Sequence, residues 1–156
     1  MTVLTTTLLW FSAITCGLLA GLYFAFSTFI LQALGRIAAP AGVAAMNSIN
    51  IQIQRSLFMP LFLGSSLAAL LLALLALFQW QLPGSAATLV GGIVYVVGMF
   101  GCTMAFNVPL NNALAAPHAD NEVWVRYRDV WTRWNHVRTV SSTVAMVLFI
   151  YALAVR

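Results

Sequence analysis

The stretch LAALLLALLALF, from Leu67 to Phe78, contains no polar side chain. With its flanks it forms an apolar segment from Leu57 to Trp80, and about 20 such residues are enough for a helix to cross the hydrocarbon core of a bilayer. The rest of the chain has the same character, since 62% of its 156 residues are hydrophobic and only 6% are charged. A soluble domain usually carries about 25% charged residues. The composition therefore predicts an integral membrane protein.

One further apolar segment precedes this stretch, and two follow it. The sequence therefore predicts an all-α fold, a transmembrane four-helix bundle that forms a single domain over residues 1–156. The spans are expected at about residues 4–34, 57–80, 88–106 and 139–155. They must be helical because lipid offers no partner for open backbone groups. The short sequence QLPGSA between the second and third spans predicts a tight turn, with Pro83 and Gly84 as helix breakers.

The two longer links are expected to contain amphipathic helices rather than loops. In NSINIQIQ the isoleucines alternate with polar residues, which is also typical of a strand. A lone strand would leave its edges unpaired, whereas a helix collects Met46, Ile49 and Ile53 on one face. The second link predicts another helix, capped by Asp120 or Asn121, that runs into the last span.

The arginines predict the orientation of the bundle. Six of the seven basic residues lie in the two long links, on the same side of the membrane. The positive-inside rule places these links in the cytoplasm and both termini outside, with the bacterial inner membrane as the expected location. Because the chain has no lysine and no basic run, the pI near 9.7 does not indicate a nucleic-acid partner.

Small residues indicate how the helices meet. Gly17 and Gly21 form a GxxxG step in the first span, and four glycines follow along the third span. Such residues allow helices to pack closely in lipid. Contact within the bundle is the main prediction, and a homo-oligomer formed through the same glycine-rich faces is the alternative. Cys16 and Cys102 lack metal or redox spacing and are interpreted as small buried hydrophobes.

One face of the last helix combines aromatic and polar residues. Trp124, Tyr127, Trp131 and Trp134 recur at helical spacing, and Asn135 and Arg138 continue the same face into the membrane. An aromatic belt at the headgroups explains the tryptophans alone. Polar groups at membrane depth usually face a cavity or the bundle interior. The sequence thus predicts a polar pocket where the links meet the bundle.

Two sets of residues are assigned to this pocket. The expected catalytic residues are His136, Arg138 and Asn135. The expected substrate-binding residues are Asn107, Asn111, Trp131, Trp134, Asn50 and Arg55. Asn47 and Gln54 are expected to add further amides. Purely structural roles are the alternative for the asparagines, as caps of the third span, and for His136, as an interfacial side chain.

This set of residues favours chemistry on a molecule that supplies its own reactivity. An electron-rich phenol or anthrone, once deprotonated, can transfer an electron to O2 without a cofactor. His136 suits the role of base, and Asn and Arg side chains can stabilise the developing enolate. No cofactor and no metal are expected, because His118 and His136 are the only imidazoles and His118 is placed in an exposed turn. The expected partners are a lipophilic small molecule and membrane lipid.

Two motifs resemble a known family. NVPLNNAL, with Asn107, Pro109 and Asn111, and WTRWNHVRT, with Asn135 and Arg138, are similar to motifs of the anthrone oxygenase-like family of small membrane proteins, many bacterial members of which are known only as a domain of unknown function. GLYFAFSTFIL and MNSIN fit the same pattern. The resemblance implies a four-helix membrane bundle and cofactor-independent oxidation of an anthrone by O2. A non-enzymatic membrane protein that binds a lipid, a quinone or a partner helix is the alternative function.

Overall fold

A computed structural model describes residues 3–117 and 120–155, and helices dominate them. Four helices are long and apolar enough to cross a membrane, and a fifth lies between the first two of them. The five helices are α1 (Val3–Leu34), α2 (Ala39–Gln54), α3 (Phe58–Phe78), α4 (Ser85–Leu114) and α5 (Asn121–Ala154). The predicted four-helix membrane bundle is confirmed, and the chain is an integral membrane protein.

The Leu67–Phe78 stretch shows how α3 divides between lipid and protein. Its alanines face inward, with Ala69 fully buried, while leucines such as Leu67 stay 59% exposed. Apart from the buried Leu72, most large apolar side chains of this stretch are left to the lipid, and the small ones allow another helix to approach. Gly92 of α4 uses this space, since a Cβ there would lie 2.6 Å from the Ala69 carbonyl oxygen. The prediction of glycine-mediated contacts within the bundle is confirmed at this position.

The helices follow one another around the bundle. α1 packs most extensively on α5, and α3 contacts both α1 and α4, while α4 also packs on α5. The turn between α3 and α4 depends on Gly84, whose φ of 79° is in the left-handed region that favours glycine. The predicted turn at Pro83 and Gly84 is therefore confirmed.

α2 confirms the helical interpretation of the first link. It covers the end of the bundle where the two long links were predicted, and it contacts all four membrane helices. Asn47 fastens it to α4, because its Nδ2 donates a hydrogen bond of 3.2 Å to the Leu114 carbonyl oxygen. The buried Met46 points from α2 into an aromatic cluster that also contains Trp124, Tyr127 and Trp131.

The third span is longer than the sequence indicates. The third was expected to end near Phe106, but α4 continues through Pro109 to Leu114. A π-helical segment, Thr103–Asn107, precedes the proline, which stands in the first turn of the α-helical segment that follows. Proline is tolerated there because the π-helical segment already departs from the regular α-helical hydrogen-bond pattern, in which the missing N–H and the ring of proline would be unfavourable.

The last helix is continuous from Asn121 to Ala154 and would be about 51 Å long at 1.5 Å per residue. Asp120 caps it, as predicted, by accepting a hydrogen bond of 2.9 Å from the Val123 backbone N–H. Its first half therefore extends beyond the apolar part of the span. The expectation for His118 falls outside the described residues.

Candidate functional site

A cavity of about 280 Å³ lies beneath α2, and all five helices contribute to its walls. Most of the wall is apolar and includes Phe26, Phe58 and Trp131. The polar side chains that reach it are Tyr23, Asn50, Gln54, Thr103, Asn111 and Arg138. An apolar pocket with a few converging polar groups is the usual form of a small-molecule site.

Arg138 supplies the charge of this cavity. Its side chain is 5% exposed, and its guanidinium lies between the rings of Tyr23 and Trp131, at 4.4 and 4.9 Å from their centroids. Nη2 donates a hydrogen bond of 2.5 Å to Oδ1 of Asn135, whereas Nε is buried without a partner. None of the described residues lining the cavity is Asp, Glu or His. The cation is thus held by aromatic faces and one amide, with no carboxylate in the cavity to neutralise it.

Asn135 positions Arg138 from behind the cavity wall. It is fully buried, and its Nδ2 donates hydrogen bonds of 2.7 Å each to the Tyr23 carbonyl oxygen and to Oγ of Ser27. Its Oδ1 accepts from Arg138. The amide therefore joins α1 to α5 at the level of the cavity and fixes the guanidinium at the same time.

Asn111 performs a similar task from α4. Its Oδ1 accepts hydrogen bonds of 2.9 Å from both the Tyr127 hydroxyl and Nε1 of Trp131. Asn107 is buried away from the cavity and donates to the Trp131 carbonyl oxygen at 3.3 Å. The two amides thus orient Trp131, which forms one face of the sandwich around Arg138.

The chain resembles known proteins at the level of a family. The sequence profile of one protein family, described as anthrone oxygenase, matches residues 50–148. The chain belongs to the anthrone oxygenase family. No curated protein and no solved structure matches it.

The anthrone oxygenase match covers most of the cavity wall but not all of it. It includes Asn50, Thr103, Asn111, Trp131 and Arg138, and it begins after α1 has ended. Tyr23 and the other α1 residues that line the cavity therefore lie outside the matched stretch. The cavity in this anthrone oxygenase family member depends on packing between matched and unmatched parts of the chain.

Helical irregularities flank the cavity in this member of the family. α1 changes to π-helical geometry at Phe26–Ile30, and α4 does so at Val96–Gly101 and Thr103–Asn107. Phe26 and Thr103, at the starts of two of these segments, both line the cavity. Short π-helical segments frequently occur at functional sites, because they redirect side chains without ending the helix.

The structure brings only some of the predicted site residues to the cavity. Asn50, Asn111, Trp131 and Arg138 line it, and Asn107 and Asn135 are buried behind its wall. Trp134 instead stacks on Phe106 with ring centroids 3.6 Å apart. His136 and Arg55 are exposed, and neither lines the cavity.

Tyr23 and Thr103 are the polar cavity residues that sequence reasoning missed. The available signal in α1 was Tyr23 followed four residues later by Ser27, which places two hydroxyls on one face of an apolar span. For metal ligands, no group of three His, Cys, Asp or Glu side chains is found in residues 3–117 and 120–155. The donors that surround the cavity are amides, hydroxyls and a guanidinium.

Proposed function

We propose that this protein binds a lipophilic anthrone or polycyclic phenol as its anion beside Arg138 and promotes its oxidation by O2. The observation that carries this proposal is a buried arginine in an apolar cavity whose described wall contains no carboxylate. Membership of the anthrone oxygenase family supports the same class of substrate.

The charge of Arg138 favours an anionic ligand. A buried cation without a counter-ion is costly, because neither solvent nor a neighbouring carboxylate compensates it. A phenolate or enolate oxygen would supply the missing negative charge, and it would do so in a low-dielectric site where the attraction is strong. Binding of the anion therefore lowers the free energy needed to deprotonate the substrate, and the proton leaves to water.

The proposed oxidation needs no electron donor other than the substrate itself. The C10 carbanion form of the anthrone gives one electron to O2, and the resulting radical and superoxide combine into a C–O bond. After protonation of the peroxide, loss of the second C10 proton and cleavage of the O–O bond release one water and leave the quinone carbonyl. Anthrone and O2 thus give anthraquinone and water, with O2 as the oxidant.

The shape and location of the cavity suit such a substrate. A volume of about 280 Å³ is close to the lower end of the roughly 300–1,000 Å³ range of small-molecule pockets, and a flat molecule of three fused rings needs no more. Phe26, Phe58 and Trp131 offer aromatic faces to its rings. With the arginine-rich end of the bundle in the cytoplasm and both termini outside, the substrate would enter at the cytoplasmic edge of the membrane.

Purified protein should convert an anthrone into the corresponding anthraquinone faster than the spontaneous reaction, with one O2 consumed per quinone formed. Because the anion is the bound species, kcat/KM should rise with pH until the substrate itself is ionised. His136→Ala should keep both the rate and this pH profile, since His136 is exposed and does not line the cavity. Absorbance of the quinone and an oxygen electrode measure the two quantities, and a His136→Ala variant without activity would show that the imidazole is the base.

Asn111→Asp should weaken binding of an anionic ligand by roughly tenfold or more while leaving a neutral analogue unaffected. The carboxylate can still accept the hydrogen bonds from Tyr127 and Trp131, so the wall keeps its arrangement. The added negative charge neutralises Arg138 within the same cavity, and about 1.4 kcal/mol of lost attraction corresponds to the tenfold change. Fluorescence titration with a hydroxyanthraquinone and with its O-methylated analogue measures both affinities. Equal weakening of the two ligands would contradict the charge argument.

One observation favours a second function, namely binding without turnover. No imidazole or carboxylate is among the described residues that line the cavity, so the protein offers no strong base there. A membrane protein that only holds an acidic lipid or a quinone would have the same wall. Tight binding of hydroxyanthraquinone together with a quinone yield no higher than the spontaneous rate would identify this second function.

A further inference from the structure

A second hollow lies between α1 and α5. It is an open groove of about 410 Å³, separate from the cavity beneath α2 except that Phe26 contributes to both. The α1 residues along the groove are Phe26, Ser27, Leu31 and Gln32, and the α5 residues are Arg128, Asp129, Thr132 and Arg133. One wall is therefore partly apolar, and the other is charged.

The charges of the groove do not balance. Two arginines stand against one aspartate, which leaves one positive charge. Arg128 lies against Gly35, where a Cβ would overlap its guanidinium, and it lies 5.7 Å from the centroid of the Trp124 ring. Its Nε is buried and has no hydrogen-bond partner. The groove is thus lined by a guanidinium side chain that is held in place by its neighbours and has no carboxylate partner for its Nε.

The position of the groove along α5 places it at the level of the lipid headgroups. A helix needs about 20 residues to cross the hydrocarbon core, and α5 has 34. The apolar part of α5 begins near Val140, so Arg128 and Arg133 lie about two to three turns before it, at 3.6 residues per turn. Phe26 and Leu31 of α1 face the same groove from a membrane-spanning helix.

We propose that this groove binds the phosphate group of one anionic phospholipid, with Arg128 and Arg133 as its cationic contacts. The ligand's negative charge matches the unbalanced positive charge, and a phosphate offers several acceptors to the guanidinium donors. Gln32 and Thr132 add polar groups to the same groove. The position of the groove at the headgroup level, beside a membrane-spanning helix, is the reason for choosing a lipid over free phosphate. The site does not depend on the proposed oxidation.

The test compares thermal unfolding in nanodiscs of phosphatidylcholine with unfolding in nanodiscs that also contain phosphatidylglycerol. Phosphatidylglycerol should raise the Tm of the unchanged protein, and the increase should fall by half or more in Arg128→Gln and in Arg133→Gln. Arg126→Gln is the matched control, because Arg126 is exposed on the same helix, carries the same charge and does not line the groove. Asp129→Asn should enlarge the increase, since it removes the negative charge of the groove.

Native mass spectrometry adds a readout that does not depend on stability. One phosphatidylglycerol should stay bound to the unchanged protein and to Arg126→Gln but be lost from the two groove variants. The proposal fails if the Tm increase is equal in all of these proteins, because a diffuse surface attraction would then explain it. It also fails if phosphatidylglycerol has no effect, or if inorganic phosphate in phosphatidylcholine nanodiscs gives the whole increase.

Discussion

Replacing Arg138 by methionine should lower kcat/KM for anthrone oxidation by about 10²–10³-fold, the usual loss when a group that stabilises a developing oxyanion is removed. Methionine is long and flexible enough to fill the space between Tyr23 and Trp131, which lie within 5 Å of the guanidinium carbon. The variant is therefore expected to fold. It lacks the positive charge that would stabilise the proposed substrate anion, and the described wall of the cavity has no other cation.

Two further variants separate charge from packing. Arg138→Lys keeps a charge but loses the planar guanidinium, so it should retain more activity than Arg138→Met and less than the unchanged protein. Arg126→Met removes an exposed arginine from the same helix and should keep the normal rate. Initial rates of quinone formation for the three variants show whether the charge of Arg138 or its packing supports activity. Activity of Arg138→Met within about threefold of the unchanged protein would contradict anion binding at Arg138.

The fold could be predicted from sequence where one physical effect dominates. Hydrophobic length decides the spans, as the Leu67–Phe78 stretch shows, because few other structures are allowed in lipid. The helical prediction for α2 also held, although Ile49, Ile51 and Ile53 alternate as in a strand. The extension of α4 past Pro109 could not be predicted, because it depends on π-helical geometry that no local residue pattern specifies.

The site shows the same division between local and tertiary information. Helical spacing was sufficient to put Asn135 and Arg138 on one face, and both are buried. The same spacing turns His136 about 100° away from Asn135, and His136 is exposed. The contribution of Tyr23 could not be predicted, because it requires the register between α1 and α5. That register is fixed by tertiary contacts such as the hydrogen bond from Asn135 to the Tyr23 carbonyl oxygen.

Replacing Asn135 by alanine should lower the free energy of unfolding by about 2 kcal/mol or more. The side chain makes three buried hydrogen bonds, to the Tyr23 carbonyl oxygen, to Ser27 and with Arg138. Polar side-chain interactions in membrane proteins average about 0.6 kcal/mol each, which gives an estimate close to 2 kcal/mol for three of them. An unpaired buried partner adds about 1–3 kcal/mol where water cannot reach it. Unfolding in mixed detergent micelles, with increasing sodium dodecyl sulfate, measures the change.

The matched control for Asn135→Ala is Thr143→Ala on the same helix. Thr143 is exposed, and its hydroxyl donates only to the Thr139 carbonyl oxygen one turn earlier, so its removal should change stability little. Asn135→Asp tests the second role of the amide, because the carboxylate loses the N–H donors to α1 and places a negative charge beside Arg138. That variant should lose substrate binding even where the new ion pair restores part of the stability. If Asn135→Ala is no less stable than Thr143→Ala, the link between α1 and α5 does not hold the cavity together, and the position of Arg138 must be maintained by the Tyr23 and Trp131 rings alone.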